Sequence, residues 1–348
     1  VGKDLTKLSL PVELNEPLSF LQRLAEEVEY AHLLDMACRQ PTSIERLVYV
    51  AAFAASAYSS TTGRIYKPFE PVVRETFEFV HPGTGVRVLS EVVGDDPPTC
   101  AMHTEKEGKW EYYFSLSTVT RFWGKSLEIL PQGRHNVSFL STGEHFVWEK
   151  VTSCAHNILM GEIYVDHYGQ MKVENLNTGD VCVLTFMKRG WWDANAFEVS
   201  GTVTDQSGRA HHKVYGKWND CIVAENLRDN TTAEIWRVNE RPACSQRQYG
   251  LTAFAMQLNN VSPALRQRLP PTDSRLRKDI RALEEGSPDT AEKERQKIEA
   301  AELQLLKETP RWAPAWFVQN PDKSWVPTRT YWPTRTAGNF RGCPQLFS

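Results

Sequence analysis

From Gly63 to about residue 240, hydrophobic and polar positions alternate. Val86, Val88 and Ser90 fall on one side of a run whose other side carries Arg87, Leu89 and Glu91. Trp110, Tyr112, Phe114 and Leu116 alternate with polar or small partners, and His145-Phe146-Val147-Trp148, Met171-Lys172-Val173, Val181-Cys182-Val183-Leu184 and Phe197-Glu198-Val199-Ser200 continue the pattern. A period of two is the mark of strands. Turn signals such as Asn177-Thr178-Gly179-Asp180 and Asp205-Gln206-Ser207-Gly208 recur at short spacing. The pattern predicts a meandering antiparallel sheet, long enough to close into a barrel.

Helical periodicity flanks this region. Residues 2–14 read as an extended opening segment with Leu5, Leu8, Leu10 and Val12 as its apolar positions, stopped by Asn15-Glu16-Pro17. A helix is predicted from about Leu18 to Cys38, with Leu21, Leu24, Val28 and Ala31 on one face. A second starts after Ser43 as N-cap and buries Ile44, Leu47, Val48, Ala51 and Ala55. Past a linker-like break at Leu269–Ser274, Ser287-Pro288 opens a helix to about Glu308, with Ile298, Ala301 and Leu305 as its buried stripe. The tail carries Trp312, Trp316, Trp325, Tyr331, Trp332 and Phe347, and no internal repeat is visible.

The stretch Glu91-Val92-Val93-Gly94-Asp95-Asp96-Pro97-Pro98 interrupts the strand pattern. Pro has no N–H to donate to a ladder, so the strand leading into it ends there. Two adjacent carboxylates at a strand end are unusual, although a solvated turn accounts for them too, because Asp favours turns.

Composition narrows the function classes. The 348 residues are 24% charged with a net charge of -3, which argues against a general nucleic-acid binder. Eleven Trp, eleven Tyr and fifteen Phe suit many strands or a large apolar cavity. Seven scattered Cys, an odd number without a CxxC pair, suit reduced thiols in the cytoplasm. The apolar run Val48 to Ala57 is too short to span a bilayer. A first residue Val1 in place of Met suggests an excised domain. No Cys or His pair has zinc spacing, and His211-His212 in a strand would point to opposite faces, so no metal is expected. Serine-nucleophile elbows and P-loops are absent, and no cofactor is expected.

Several motifs carry a resemblance. Asn15-Glu16-Pro17-Leu18-Ser19 with Leu21-Gln22-Arg23-Leu24 and Glu29-Tyr30, Lys67-Pro68-Phe69, Phe122-Trp123-Gly124-Lys125-Ser126, Lys150-Val151-Thr152, His156-Asn157, Asp166-His167-Tyr168-Gly169, Gly216-Lys217-Trp218, Leu269 to Arg277, Tyr331-Trp332 and Cys343-Pro344 together resemble the lipid-binding domain of the oxysterol-binding protein family. The resemblance covers nearly the whole chain. It implies a mainly β protein with flanking helices (α+β): a large incomplete antiparallel β-barrel around an apolar tunnel, with an N-terminal lid and a C-terminal helical subdomain. The implied layout is one domain over 1–348, with 1–14 as lid, 15–62 as N-terminal helices, 63–240 as barrel and 241–348 as the C-terminal region. Leu5, Leu8 and Leu10 fall on the lid, of which only the hinge side is expected here. Family members carry a sterol or phospholipid between membranes, and many exchange it for phosphatidylinositol 4-phosphate. The resemblance therefore implies a sterol-like ligand, a transient membrane surface, a monomer, and a cytoplasmic location peripheral at membranes or membrane contacts.

The departures from the family pattern fall at its phosphate site. Gln, Ser and two His of the fingerprint before Pro-Pro are replaced by Val92, Gly94, Asp95 and Asp96. The loop keeps Lys67 but has Glu70 in place of Asn, followed by Val73-Arg74-Glu75. A basic residue, a Glu and an Arg on one face of the C-terminal helix correspond to Arg295, Glu299 and Leu303, so the last cation is gone. Two like charges roughly 4 Å apart cost on the order of 4 kcal/mol at an effective dielectric of about 20, so phosphoinositide exchange is expected to be lost or weak. Lys67, Arg74 and Arg295 are expected to pair with the new carboxylates, or alternatively to grip a phosphate in a rearranged site. Two other readings stand beside the carrier. In one, Asp95, Asp96 and Glu70 are acid–base groups of an isomerase, cyclase or dehydratase built in the tunnel; in the other, the barrel scaffolds partners at membrane contacts.

Overall fold

The computed structural model describes residues 11–347; the lid positions Leu5, Leu8 and Leu10 lie outside them. The N-terminal part comprises β1 (Asn15–Ser19), α1 (Phe20–Ala25), α2 (His32–Ala37), α3 (Ser43–Ser56) and β2 (Lys67–Phe69). The strands β3 (Thr76–Val80), β4 (Arg87–Asp95), β5 (Pro98–Lys106), β6 (Trp110–Phe122), β7 (Ser126–Gln132), β8 (Arg134–Phe139), β9 (His145–Glu149), β10 (Thr152–His156), β11 (Tyr164–Asn175), β12 (Val181–Phe186), β13 (Glu198–Thr204), β14 (Ala210–Lys217), β15 (Cys221–Asn226) and β16 (Thr232–Arg237) follow. The C-terminal part adds α4 (Pro263–Arg266), α5 (Lys278–Glu284), α6 (Pro288–Glu308), the small hairpin β17 (Phe317–Gln319) and β18 (Trp325–Pro327), and α7 (Tyr331–Ala337).

The predicted single helix over Leu18–Cys38 is corrected. Residues 15–19 form a strand paired in parallel with β2. The helix starts only at Phe20, where Ser19 Oγ accepts the Gln22 N–H and Gln22 Oε1 accepts the Ser19 N–H at 2.7 Å. A short 3-10 turn at Glu26–Val28 then separates α1 from α2. The cause is remote in sequence. Buried Arg64 pairs with Glu16 at 2.7 Å and also with Glu26, tying both sides of α1 to a residue downstream of α3. Thr42, not Ser43, caps α3, its Oγ1 accepting the Glu45 N–H at 3.2 Å, while Ser43 donates to Asp180. The stripe foreseen on α6 is weak: Ile298 and Leu305 are half-buried, Ala301 is exposed, and Ala291 is the position that packs under α5.

Fourteen strands form one antiparallel sheet in the order β16-β15-β14-β13-β12-β11-β10-β7-β6-β5-β4-β3. β8 and β9 make a second bridge between β6 and β11, beside the one made by β7 and β10. Laid flat, a path of this many strands would be roughly 50 Å wide. Yet α1 touches β3, β4 and β5, while α3 touches β9, β11, β12, β13, β14 and β16. The sheet therefore curls around the helices as an incomplete barrel. Its two end strands, β3 and β16, do not pair with each other. Phe254 packs at their seam, 5.5 Å from the Phe79 ring, and Gln22 Nε2 donates to the Leu258 carbonyl at 3.1 Å.

Both faces of β4 and β5 are buried. Phe77, Val88, Val92, Cys100, Met102 and Phe114 point inward into the main core with the helices. Leu89, Val93 and Ala101 point outward under Trp316, Phe317 and Tyr331 of the C-terminal part. Glu91, also outward, accepts the backbone N–H groups of Ala315 at 2.7 Å and Trp316 at 2.9 Å. Burial pushes its carboxyl up to about 7, against the pull of those donors.

Candidate functional site

The inner wall is not uniformly filled. Along β6, Trp110, Tyr112, Phe114 and Leu116 are buried, and the same face continues through Thr118, Thr120 and Phe122, which are half-exposed. Cross-strand register extends this half-open surface. Thr118, Thr120 and Phe122 face Pro131, Ile129 and Leu127, whose neighbours are Ser153 and Ala155, and then His167 and Val165. All are half-exposed except His167, which lies buried at the back. His167 shares hydrogen bonds with Thr61 Oγ1 at 2.9 Å and Ser153 Oγ at 2.8 Å. Burial, aided by the charges of Lys150 and Arg23, pushes its imidazole down to about 3, so it is neutral at pH 7. The result is a concave, mostly apolar wall with one polar spot, Ser153–His167–Thr61. Such a surface suits a ligand with an apolar body and a single hydroxyl.

The rim at this end is built by buried ion pairs. Glu75 is fully buried; its carboxylate accepts the Val72 N–H at 2.9 Å, Ser274 Oγ at 2.6 Å and Arg277 Nη1 at 2.8 Å. Arg277 also donates to the Glu70 carbonyl at 2.8 Å and pairs with Asp279. This fixes the loop from Glu70 to Glu75 beside β4, where Val92 N–H donates to the Glu75 carbonyl at 3.0 Å. Helix α6 crosses the same loop, with Glu302 Oε1 accepting the Val73 N–H at 2.6 Å. Burial holds the Glu302 carboxyl above the usual range, although the Val73 donor works the other way.

The predicted site residues divide. Lys67 pairs with Glu70 at 2.5 Å, as expected of a new carboxylate beside the remaining cation. Arg295 pairs within its own helix, with Glu292 at 2.7 Å and Glu299 at 3.8 Å. Arg74 turns away: its Nη2 donates to Thr309 Oγ1 at 2.8 Å and its guanidinium stacks 5.7 Å from the Trp312 ring, so its expected pairing with a new carboxylate is corrected. Leu303 is exposed where a cation was expected by resemblance. The predicted rigid strand end at Asp95-Asp96 is instead the tip of the β4–β5 hairpin, with Asp95 opposite Pro98 and a cis Asp96–Pro97 peptide. Both Asp side chains are exposed, and neither pairs with Lys67 or Arg74. Glu302 was missed by sequence reasoning, and Glu75 was read only as part of the loop. The signal for Glu302 was weak, one acidic position beside Leu303 on a helix rich in them.

Around the same end of the barrel lies a ring of exposed apolar side chains. Trp191 and Trp192 are 90% and 99% exposed, and Leu159, Met160 and Trp123 join them. The loops are tied together: the Ile158 N–H donates to the Lys125 carbonyl at 3.2 Å, and the Arg189 N–H to Asp166 at 2.9 Å. Lys188 and Arg189 stack over Tyr168 and Tyr164 at 4.6 and 4.4 Å. Among the described residues no helix is long and apolar enough to cross a membrane.

A family model described as oxysterol-binding protein matches residues 1–336. The mouse oxysterol-binding protein-related protein 3 is 44% identical over 337 residues, 95% of this chain and 39% of that protein. The chain spans about two fifths of the length of the first curated relatives it matches. Among solved structures, the Osh1 ORD domain in complex with cholesterol superposes with a TM-score of 0.93 at 35% identity, covering 100% of this chain and 88% of that one. The Osh3 ORD in complex with PI(4)P from Saccharomyces cerevisiae gives 0.90 at 33% identity, covering 99% and 92%.

Proposed function

This chain belongs to the oxysterol-binding protein family, and on that premise we propose that it holds one sterol-sized lipid against the open inner wall of its barrel and carries it between membranes without exchanging it for phosphatidylinositol 4-phosphate. The observation that carries this reading is the half-exposed inner surface of Thr118, Phe122, Leu127, Ile129, Ala155 and Val165 in an otherwise packed barrel. A rigid apolar ligand covering it gains roughly 25 cal/mol per Å² of apolar surface removed from water, and the Ser153–His167–Thr61 group offers its hydroxyl a partner. The cholesterol-bound relative supports a sterol as that ligand.

Loss of the phosphoinositide arm rests on the rim. Glu70, Asp95, Asp96 and Glu302 bring carboxylates there, and Lys67 and Arg295 already have acidic partners. A phosphate headgroup needs free donors and positive charge. The Osh3 domain was solved with that lipid, so the fold itself does not forbid it; the reading rests on the acidic side chains of this rim. The chain acts as one lipid-binding domain, monomeric and cytoplasmic, with the barrel at 63–240. The exposed Trp123, Met160, Trp191 and Trp192 beside Lys125 and Lys188 form the face that touches a bilayer. Asp95, Asp96 and Glu70 are open to solvent, whereas catalytic carboxylates acting on a hydrophobic substrate need enclosure with it; this favours the carrier over an enzyme.

The test is extraction of labelled sterol from liposomes, followed by challenge with phosphatidylinositol 4-phosphate. One sterol per chain is expected, undisplaced by the phosphoinositide, and displacement would overturn the claim about the rim. The double variant Asp95→His, Asp96→His should raise binding to phosphoinositide vesicles by about tenfold and leave sterol extraction unchanged.

A further inference from the structure

A second cluster lies on the outer face of the same strands, at the far end of the β4–β5 hairpin, roughly 25 Å along the strand from Asp95. Arg87, Glu105 and Glu111 form one row across β4, β5 and β6, with His103 two residues from Glu105 on the same face. The register sets two glutamates directly opposite each other, which is unfavourable unless a positive charge lies between them. Two guanidiniums meet part of that need. Arg87 Nη2 is 2.9 Å from Glu105 Oε1, and Arg329 Nη2, from the C-terminal segment, is 2.6 Å from Glu111 Oε2.

His103 provides an independent observation. It is 3% exposed, and its Nε2 is buried with no hydrogen-bond partner. A buried, unpaired ring nitrogen is costly unless something fills its place. One ring nitrogen of His103 and one oxygen each from Glu105 and Glu111 lie within 4.8 Å of one another. His103 and Glu105 border a groove of about 540 Å³, walled on the other side by Trp332, Pro333 and Thr336 of α7. Glu107 reaches Arg87 at 3.8 Å, so three carboxylates face two guanidiniums and the cluster is left net negative.

We propose that His103, Glu105 and Glu111 bind a divalent transition-metal cation of the zinc class, with Arg87 and Arg329 as outer partners that hold the carboxylates in place. The imidazole selects against magnesium and calcium, which prefer all-oxygen sites. Zinc bonds of roughly 2.0–2.2 Å require the ligand atoms to close inward, a movement within reach of the two glutamate side chains. The groove leaves room for water as a further ligand. All three ligands lie on the outer face of the sheet, so the site is independent of lipid binding on the inner wall.

The test is equilibrium dialysis of the intact chain against zinc sulfate, with bound metal measured by plasma mass spectrometry, and a parallel cobalt(II) titration read by visible absorption. One zinc per chain is expected, with affinity at least tenfold weaker in His103→Ala and Glu111→Gln and unchanged in His211→Ala. Should His103→Ala disturb the fold by circular dichroism, His103→Asn replaces it. Absence of stoichiometric zinc in the unmodified chain overturns the proposal, as does affinity that the folded His103 variant leaves intact; either result would make the cluster an ion-pair network only.

Discussion

The strands β6 and β11 are bridged twice, and the two bridges have opposite interiors. The β8–β9 bridge turns His135, Val137, Phe139, Phe146 and Trp148 inward, and all are buried, with Phe53 of α3 set edge-on against Tyr112 at 5.2 Å. The β7–β10 bridge turns Leu127, Ile129, Pro131, Ser153 and Ala155 inward, and all are half-exposed. The chain passes from one bridge to the other at Gly133, where φ is +144° and a Cβ would lie 1.9 Å from the Ser115 carbonyl oxygen, so only glycine fits. The alternating pattern is the same on both sides of that glycine. What differs is whether a helix covers the inner face. One half of the barrel is a protein core, and the other leaves its inner face half-open.

Breaking the filled half should have the largest effect. Phe53→Ala leaves a hole among Tyr112 and Trp148, and a loss of about 3–5 kcal/mol is expected in urea unfolding. A loss below about 1 kcal/mol would mean that this half is loose as well. The outer side of the filled half gives the next effect. The Glu91 carboxyl lies near 7 in the fold against an ordinary 4.5, so the folded chain keeps a proton that the unfolded chain releases. Its stabilising contribution is fully present below about pH 4.5 and is lost as pH rises to about 7, by up to roughly 3 kcal/mol. Thermal melts from pH 5 to 8 should show the decline, and Glu91→Gln should flatten it. The smallest change in stability belongs to the open half. Ile129→Trp is expected to shift unfolding by less than about 1 kcal/mol, whereas overpacking a filled core costs about 1–3 kcal/mol. The same variant should reduce sterol extraction at least tenfold, since the added ring occupies the guest's place; undiminished extraction would put the ligand elsewhere.

Much of the architecture was legible in the sequence because a period of two survives wherever one face is packed. The barrel region and the start of α6 at Pro288 follow from local signals. The broken opening helix did not, because what interrupts it is Arg64, far along the chain, and periodicity carries no information about such partners. At the rim, the acidic substitutions were readable residue by residue, and so was the pairing of Lys67 with Glu70. The direction of Arg74 was not, since its partners Thr309 and Trp312 arrive from beyond α6. The cluster of His103, Glu105 and Glu111 has no recognisable spacing; it exists only because a strand register sets Glu105 opposite Glu111. An apolar cavity was expected, but which residues line its half-open wall was not legible, as inward-facing apolar residues read alike whether a helix or a ligand is to cover them.

The order of the elements also bears on synthesis. Helices α1 to α3 end at Ser56, and the last strand that α3 touches, β16, ends at Arg237. The contents of the barrel leave the ribosome before their container. At about 5–20 residues per second, the apolar faces of those helices wait roughly 10–40 s for the strands that enclose them. During that interval the chain presents its future interior to the cell, and those short apolar helices are the segment a chaperone would have to shield.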